Sequence, residues 1–451
     1  MQTSQLKTKV VLADYSYQKD IDNRLFLASL SVAEIHVLEE IIHHSLRFSI
    51  DQLAEDLELE ASELIPILKK FESKKILKFD GKTVSVDKEI RKYFEFQIEK
   101  FCDDFEPNLE FFQNFLSQVP IHLLPTWYAI PRSSDNIVAS IIEKHFLTPK
   151  IFRQYIAELE FDVPILKQLI RDVYEAPDFK YCANELMNKY QIDRKQFEEY
   201  LLLLEYHFVC CLTYEQKNEK WEGIVTPFSE WQDFLRFEAK KTLLPSASQI
   251  STIYEEPFGY ILDLNQVIAI CKTTKSTLAT IHESKSKIYE IEKVVNKLKQ
   301  LGWIEQMKSG QLNPTEAGLE WSSKPVQTQA MDLAFHPNNK LENHSDFEGL
   351  VTIRNLRLIE KNLRGIPSNK WITMEQFLKS FTAPLGDKEN ISLKNKGKKW
   401  RYEIPTYTEQ EKQFVRAIIL ERLHQLGVVK VGDFEGQPCF SLTDYGQHYI
   451  H

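Results

Sequence analysis

The sequence predicts a mainly helical chain with small β-hairpins, laid out as a tandem array of one repeated module joined by helical bridges. Three observations predict it. First, a pattern occurs twice. Leu298-Lys299-Gln300-Leu301-Gly302 leads to Thr315-Glu316-Ala317-Gly318, and about 125 residues on Leu423-His424-Gln425-Leu426-Gly427 leads to Thr443-Asp444-Tyr445-Gly446. Each copy reads as a helix end, a glycine stop, two short strands and a newly capped helix. Second, apolar residues recur at helical spacing in long stretches, separated by short β-rich runs. Third, glycine is scarce, 14 in 451 residues. Parallel-sheet nucleotide folds spend glycine on phosphate loops and tight turns. Neither GxxxxGK[ST] nor GxGxxG occurs, and no other cofactor motif is present.

The elements follow in order. Residues 1–30 form an arm with a β-like run, Lys9-Val10-Val11-Leu12. Module one takes 31–100. Ser31-Val32-Ala33-Glu34 is a capping box, in which the hydroxyl and carboxylate satisfy orphan helix N–H groups. Two more helices follow, at 49–57 and Ala61–Ser73, and an Asp80-Gly81 turn joins a hairpin. Three helices and a hairpin make a winged helix. Residues 101–160, rich in Phe and broken by Pro120, Pro125 and Pro131, are a helical bridge. Module two takes 161–235, with helices opened by Pro164, Tyr181 and Asp193 and strands at 208–214 and 221–226 around a polar turn. Module three takes 236–330. Its strongest helix is 286–301, stopped by Gly302, with a hairpin around Lys308-Ser309-Gly310. Residues 331–349, polar and carrying Pro337-Asn338-Asn339, read as a linker. Module four takes 350–451, with helices near 351–363, 374–380 and 408–426, a polar insertion and a closing hairpin.

Composition points to binding. The histidines include no HExxH, and adjacent His43-His44 point to different helix faces, so no metal or catalytic site is expected. Six cysteines contain no CxxC pair and read as reduced thiols. There is no apolar signal core and no run of about 18 apolar residues, so a cytoplasmic chain without a membrane span is expected. Charge divides unevenly. Residues 1–240 hold 29 basic and 41 acidic side chains, a net −12, whereas 241–451 hold 27 and 24, a net +3. The front half would repel a polyanion and the back half would not.

In a winged helix the third helix enters the major groove and the wing touches phosphates, so the charge of each third helix is the test. Module one begins its third helix with Glu58, Glu60 and Glu63. Module two carries Glu198, Glu199 and Glu205. Both read as protein-docking modules. Module three offers Lys285, Lys287, Lys293, Lys297 and Lys299, with Lys308 at the hairpin tip. The module-four insertion offers Lys394, Lys396, Lys398, Lys399, Trp400 and Arg401, cations for phosphates and an aromatic face for an unpaired base. The competing readings are a solvated lysine face and a loop anchored by Trp400. Arg357, Lys361, Arg364 and Lys370 would extend the basic face.

At module four, Trp371, Phe377, Trp400-Arg401, Leu423-His424-Gln425-Leu426-Gly427-Val428-Val429 and Phe440-Ser441-Leu442-Thr443-Asp444-Tyr445-Gly446 resemble the N-terminal, helicase-associated domain of XPB-type helicases. The layout also resembles the TFIIH subunit that docks XPB. The resemblance covers about the last 100 residues at motif level. It implies a DNA-binding or helicase-accessory role without an ATPase. The expectation is therefore a non-catalytic DNA-associated adaptor, its C-terminal modules on nucleic acid and its acidic modules on a protein, a helicase among the candidates. The alternatives are a pure protein scaffold and a winged-helix transcriptional regulator. No small-molecule substrate is evident.

Overall fold

The computed structural model describes residues 8–134, 136–239, 250–273, 276–283, 288–342, 344–397 and 399–450. The chain is mainly helical with several small antiparallel sheets. It divides into two compact units, Met1–Arg236 with Ser392–Glu403, and Phe237–Ile391 with Ile404–His451.

Unit 1 contains two helix–helix–helix–hairpin segments. In the first, helix Val32–His43 is followed by strand β1 (Arg47–Ser49), helices Ile50–Asp56 and Ala61–Ser73, and strands β2 (Leu77–Phe79) and β3 (Thr83–Val86). The Ser31 capping box forms, and Ser49 with Gln52 makes a second one. The Asp80 carboxylate accepts from Lys82 N and Thr83 N, and Gly81 turns the chain at φ +95°. The second segment runs through helix Ile165–Glu175, strand β4 (Tyr181–Cys182), helices Ala183–Tyr190 and Arg194–Tyr206, and strands β5 (Cys211–Lys217) and β6 (Lys220–Thr226).

Both sheets place the leading short strand beside the last one, in the orders β1-β3-β2 and β4-β6-β5. Strands of two or three residues carry no readable periodicity, so β1 escapes the sequence and Tyr181 reads as helix. The expected polar turn at 215–220 is mostly strand, leaving only Asn218 and Glu219 at positive φ. Lys9-Val10-Val11-Leu12 is not a strand. Lys9 N donates to Trp127 O at 2.9 Å, and Leu12–Asp14 is a short helical turn. Helices Leu109–Leu116, Leu124–Trp127, Ile137–His145 and Pro149–Glu158 form the bridge and bury Phe111, Phe112, Phe115 and Trp127.

Two glutamates of module two are not solvated. Arg24 donates to Glu198 at 2.9 Å and to Glu205 at 2.7 Å, and Lys100 donates to Glu205 at 3.0 Å. All four are at most 3% exposed. The two cations hold the Glu205 carboxyl down at about 2 against the upward push of its own burial. Glu198 and Glu205 therefore fasten the N-terminal helix Tyr17–Leu27 to helix Arg194–Tyr206 and offer no acidic face to a partner.

Unit 2 opens with strand β7 (Ser251–Thr252), then helices Gly259–Thr273, Leu278–His282 and Ile291–Leu301 and strands β8 (Ile304–Gln306) and β9 (Leu312–Pro314). Here the leading strand shrinks to one bridge, Ser276 to Leu312. The helix expected from 286 starts at Ile291. Glu290 sits before it at φ +48°, so Ile288 lies outside the helix. Helices Glu316–Ser322, Val326–Phe335 and Ile353–Leu363 lead to β10 (Trp371–Thr373) and helix Met374–Lys379. Strands β11 (Leu393–Lys396) and β12 (Lys399–Tyr402) follow in sequence but belong to unit 1. Helix Glu409–Ala417 runs on through a wider π-type stretch, Ile418–Leu423, into β13 (Val429–Phe434), β14 (Gln437–Leu442) and helix Asp444–Ile450. The sheet order is β10-β14-β13-β7. Residues 331–349 are not a free linker. Leu333, Ala334, Leu341 and Phe347 enter a core continuous from Tyr260 to Ile450.

The doubled pattern is one hydrogen-bond set made twice. Gly302 and Gly427 end their helices at φ +71° and +73°. Thr315 Oγ1 donates to Gly302 O (2.8 Å) and accepts from Gly318 N, and Thr443 Oγ1 donates to Gly427 O (2.7 Å) and accepts from Gly446 N. A Cβ at Gly318 would lie 2.2 Å from Trp303 O, and one at Gly446 2.0 Å from Val428 O. The last glycine of each pattern is there because backbone occupies the place of a side chain.

Among the described residues no helix is long and apolar enough to cross a membrane. All six cysteines are unpaired.

Candidate nucleic-acid interface

The polar insertion of module four folds as a two-stranded ribbon, β11 against β12. The register pairs Leu393 with Tyr402, Lys394 with Arg401, Asn395 with Trp400, and Lys396 with Lys399. Gly397 reverses the chain at φ +77°. Alternation puts Leu393 and Tyr402 inward, 4% and 8% exposed. Tyr402 Oη donates to Phe146 O at 2.8 Å, Leu393 N donates to Leu147 O at 2.7 Å, and the Tyr402 ring packs against Trp231 and Phe234. Burial, with the Glu230 carboxylate beside it, pushes the Tyr402 phenol far above its usual range, so it stays a neutral donor.

The anchor is thus the Leu393–Tyr402 pair. Trp400 is half-buried, on the inner side of the ribbon with Tyr402. The next residues along each strand, Lys394 and Arg401, stand across from one another on the outer side. Like charges directly opposite in a sheet repel, and a polyanion would relieve that repulsion. Lys394 pairs with Glu403 at 3.1 Å, Lys399 approaches Glu106 only to 3.9 Å, and Arg401 is exposed. Lys396 occupies the register position opposite Lys399. Lys398 lies outside the described residues.

Of the module-three lysines, one is buried and others have partners within the protein. Lys285 and Lys287 lie outside the described residues. Lys293 pairs with Glu290 at 3.0 Å and Glu342 at 3.6 Å. Lys297 is only 6% exposed and donates to Asn339 Oδ1 (3.2 Å) and Lys340 O (2.7 Å), and burial lowers its pKa. It binds the 336–342 segment to its helix and is withdrawn from any ligand. The sequence held the clue, because Lys297 sits three residues after Val294 and four before Leu301, on the apolar stripe. Lys299 is half-exposed and donates to Gln306 Oε1 at 2.7 Å. Lys308 is exposed at the β8–β9 turn. In module four Arg357 pairs with Glu360 and Arg364 donates to Ile450 O, whereas Lys361 and Lys370 are exposed.

The two basic sets therefore belong to different units, the ribbon to unit 1 and the module-three lysines to unit 2. Recounted by unit, unit 1 holds 33 basic and 41 acidic side chains (net −8) and unit 2 holds 23 and 24 (net −1). The split of −12 against +3 is a property of the linear chain. Among the described residues no group of three or more His, Cys, Asp or Glu is placed to hold a metal. Comparison with protein-family models finds no match, and neither does comparison with curated proteins.

Proposed function

We propose that the chain is a non-catalytic nucleic-acid-associated adaptor built from four winged-helix modules, with the β11–β12 ribbon as its principal phosphate contact. What carries the reading is the ribbon itself, anchored on its inner side by Leu393 and Tyr402 while Lys394 and Arg401 face each other on the outer side and Lys399 stands nearby. Lys308 on the third hairpin and Lys299 in the last turn of the preceding helix add a smaller contact. The winged-helix reading is supported by the recurring element order, with a leading strand or bridge paired to the last strand in all four segments. Trp400 lies on the inner side, which favours contact with duplex phosphates over stacking on unpaired bases. The acidic balance of unit 1 outside the ribbon supports docking of a protein there. The resemblance of module four to helicase-associated domains makes a helicase the partner class of choice.

The test uses the full chain, because a 241–451 fragment would separate the ribbon from Phe146, Trp231 and Phe234. Duplex binding by fluorescence anisotropy across a salt series is expected to weaken steeply with salt. Lys394→Glu/Lys399→Glu/Arg401→Glu is expected to lower the slope of log K against log salt by about 2 to 3, at roughly 0.9 per phosphate contact. Absence of binding at low salt, or a triple variant that binds as wild type, refutes the reading. A specific observation favours the pure scaffold as second choice: Lys293, Lys297 and Lys299 all have partners within the protein.

A further inference from the structure

Unit 1 holds a second feature of chemical interest. The first helix of module one, the chain just after helix Lys88–Ile98, and the β5–β6 hairpin enclose a cavity of about 150 Å³. Its floor is made by Ile35 and Phe101, both largely buried, and by the Trp221 indole, whose Nε1 has no hydrogen-bond partner among the described residues. Phe101 stacks on Tyr214 at 4.0 Å and meets Trp221 edge to face at 5.2 Å and 82°, so the floor is already in place before any ligand arrives. The rim is polar, with Glu39, Asp103 and His36. No Lys or Arg lines the cavity, and among the described residues neither Glu39 nor Asp103 has an ion-pair partner. Burial raises the pKa of the lining Cys102 thiol, and the nearby carboxylates of Glu39, Asp104, Glu99 and Asp103 raise it further.

We infer that this cavity is a socket for one arginine side chain from a basic segment of a partner protein. An arginine has the two parts the cavity asks for. Its methylene stem covers the floor while the guanidinium reaches the rim carboxylates. A planar cation also lies well against Trp and Phe rings and can fork to carboxylates, which a lysine ammonium cannot do as well. Cavities of this size hold a group as large as benzene, so a guanidinium with its adjoining methylene fits. Charge agrees, since unit 1 carries −8 overall even with the ribbon counted in. This inference rests on the reading that the N-terminal modules dock protein.

The test titrates the full chain with N-acetyl-arginine amide and with N-acetyl-citrulline amide, the neutral isostere, followed by NMR. The arginine compound is expected to bind at least about tenfold more tightly, the equivalent of ~1.4 kcal/mol. Glu39→Gln/Asp103→Asn is expected to reduce arginine to the citrulline level with an unchanged melting temperature. Glu58→Gln/Asp162→Asn, on exposed carboxylates elsewhere in the unit, is expected to leave binding as it was. Equal binding of the two compounds, no binding of either, or a pocket variant that keeps full arginine affinity overturns the socket. A short Arg-Gly repeat peptide separates the two claims. If it binds wild type and pocket variant equally, the socket falls and protein docking stands. If it binds neither, both fall.

Discussion

Glu230 shows how one buried side chain gives this fold a pH dependence. It is 5% exposed, accepts from Leu109 N at 2.9 Å through one oxygen, and its other oxygen has no partner among the described residues. Burial raises its carboxyl from 4.5 to about 7, with Asp233 and Glu106 adding to the rise. The folded protein therefore keeps a proton that the unfolded chain releases, and stability falls as pH rises through 4.5 to 7. Glu230→Gln mimics the protonated form. It is expected to raise the melting temperature at pH 8, by a free energy on the order of 3 kcal/mol, and to change little at pH 5. His145 and His207 act in the opposite sense. Burial lowers them to about 4 and about 3, so the stability they contribute is present above 6.5 and lost as pH falls below it. In the Glu230→Gln protein the acid-side loss is expected to stand alone, and thermal melts from pH 4 to 8 check both slopes. An unchanged slope in the variant would remove Glu230 from this account. None of the three was legible as special in the sequence, because a titration shift comes from what surrounds a group and not from its neighbours in the chain.

At the scale of elements, the repeated helix stop, hairpin and cap was the most legible part of the chain. Its logic is local: a left-handed glycine ends a helix, and a threonine caps the next helix three residues before a glycine. What the sequence did not reveal is why that final glycine is required. Trp303 O and Val428 O occupy the space, and those carbonyls arrive from the preceding hairpin. Gly446→Ala and Gly318→Ala are each expected to destabilise unit 2 by roughly 1–3 kcal/mol through overpacking, measured by urea denaturation. Gly310→Ala is the comparison, since its Cβ would meet nothing within 4 Å, although its φ of +83° carries a conformational cost. If Gly446→Ala unfolds no earlier than Gly310→Ala, the close approach is not what selects the glycine. The leading strands β1, β4 and β10 mark the other limit of legibility. Each exists because a last hairpin strand offers it hydrogen bonds, and two or three residues leave no period to read.

For the whole molecule the consequential fact is that chain order and packing order differ. The ribbon 392–403 interrupts unit 2 in sequence and folds into unit 1, where Tyr402 and Leu393 are buried. Replacing 392–403 by a short flexible linker is expected to destabilise unit 1 by about 3 kcal/mol or more, from two lost buried side chains, and to leave unit 2 largely unaffected. Hydrogen exchange resolved by segment reads the two units separately. Equal loss of protection in both, or loss in unit 2 alone, would contradict the assignment of the ribbon.

The sequence by itself determined the mainly helical class, most helices and hairpins, their caps, and the repeated module boundary at Gly302 and Gly427. These depend on residues within a turn or two of one another, where spacing and propensity act directly. Tertiary structure alone decided which charges are available. Glu198, Glu205 and Lys297 are spent on interior partners, Lys293 is paired, and the cations of 394–401 belong to the other unit. Charge has no period, and the energy of burying or pairing it depends on groups brought close only when the chain folds.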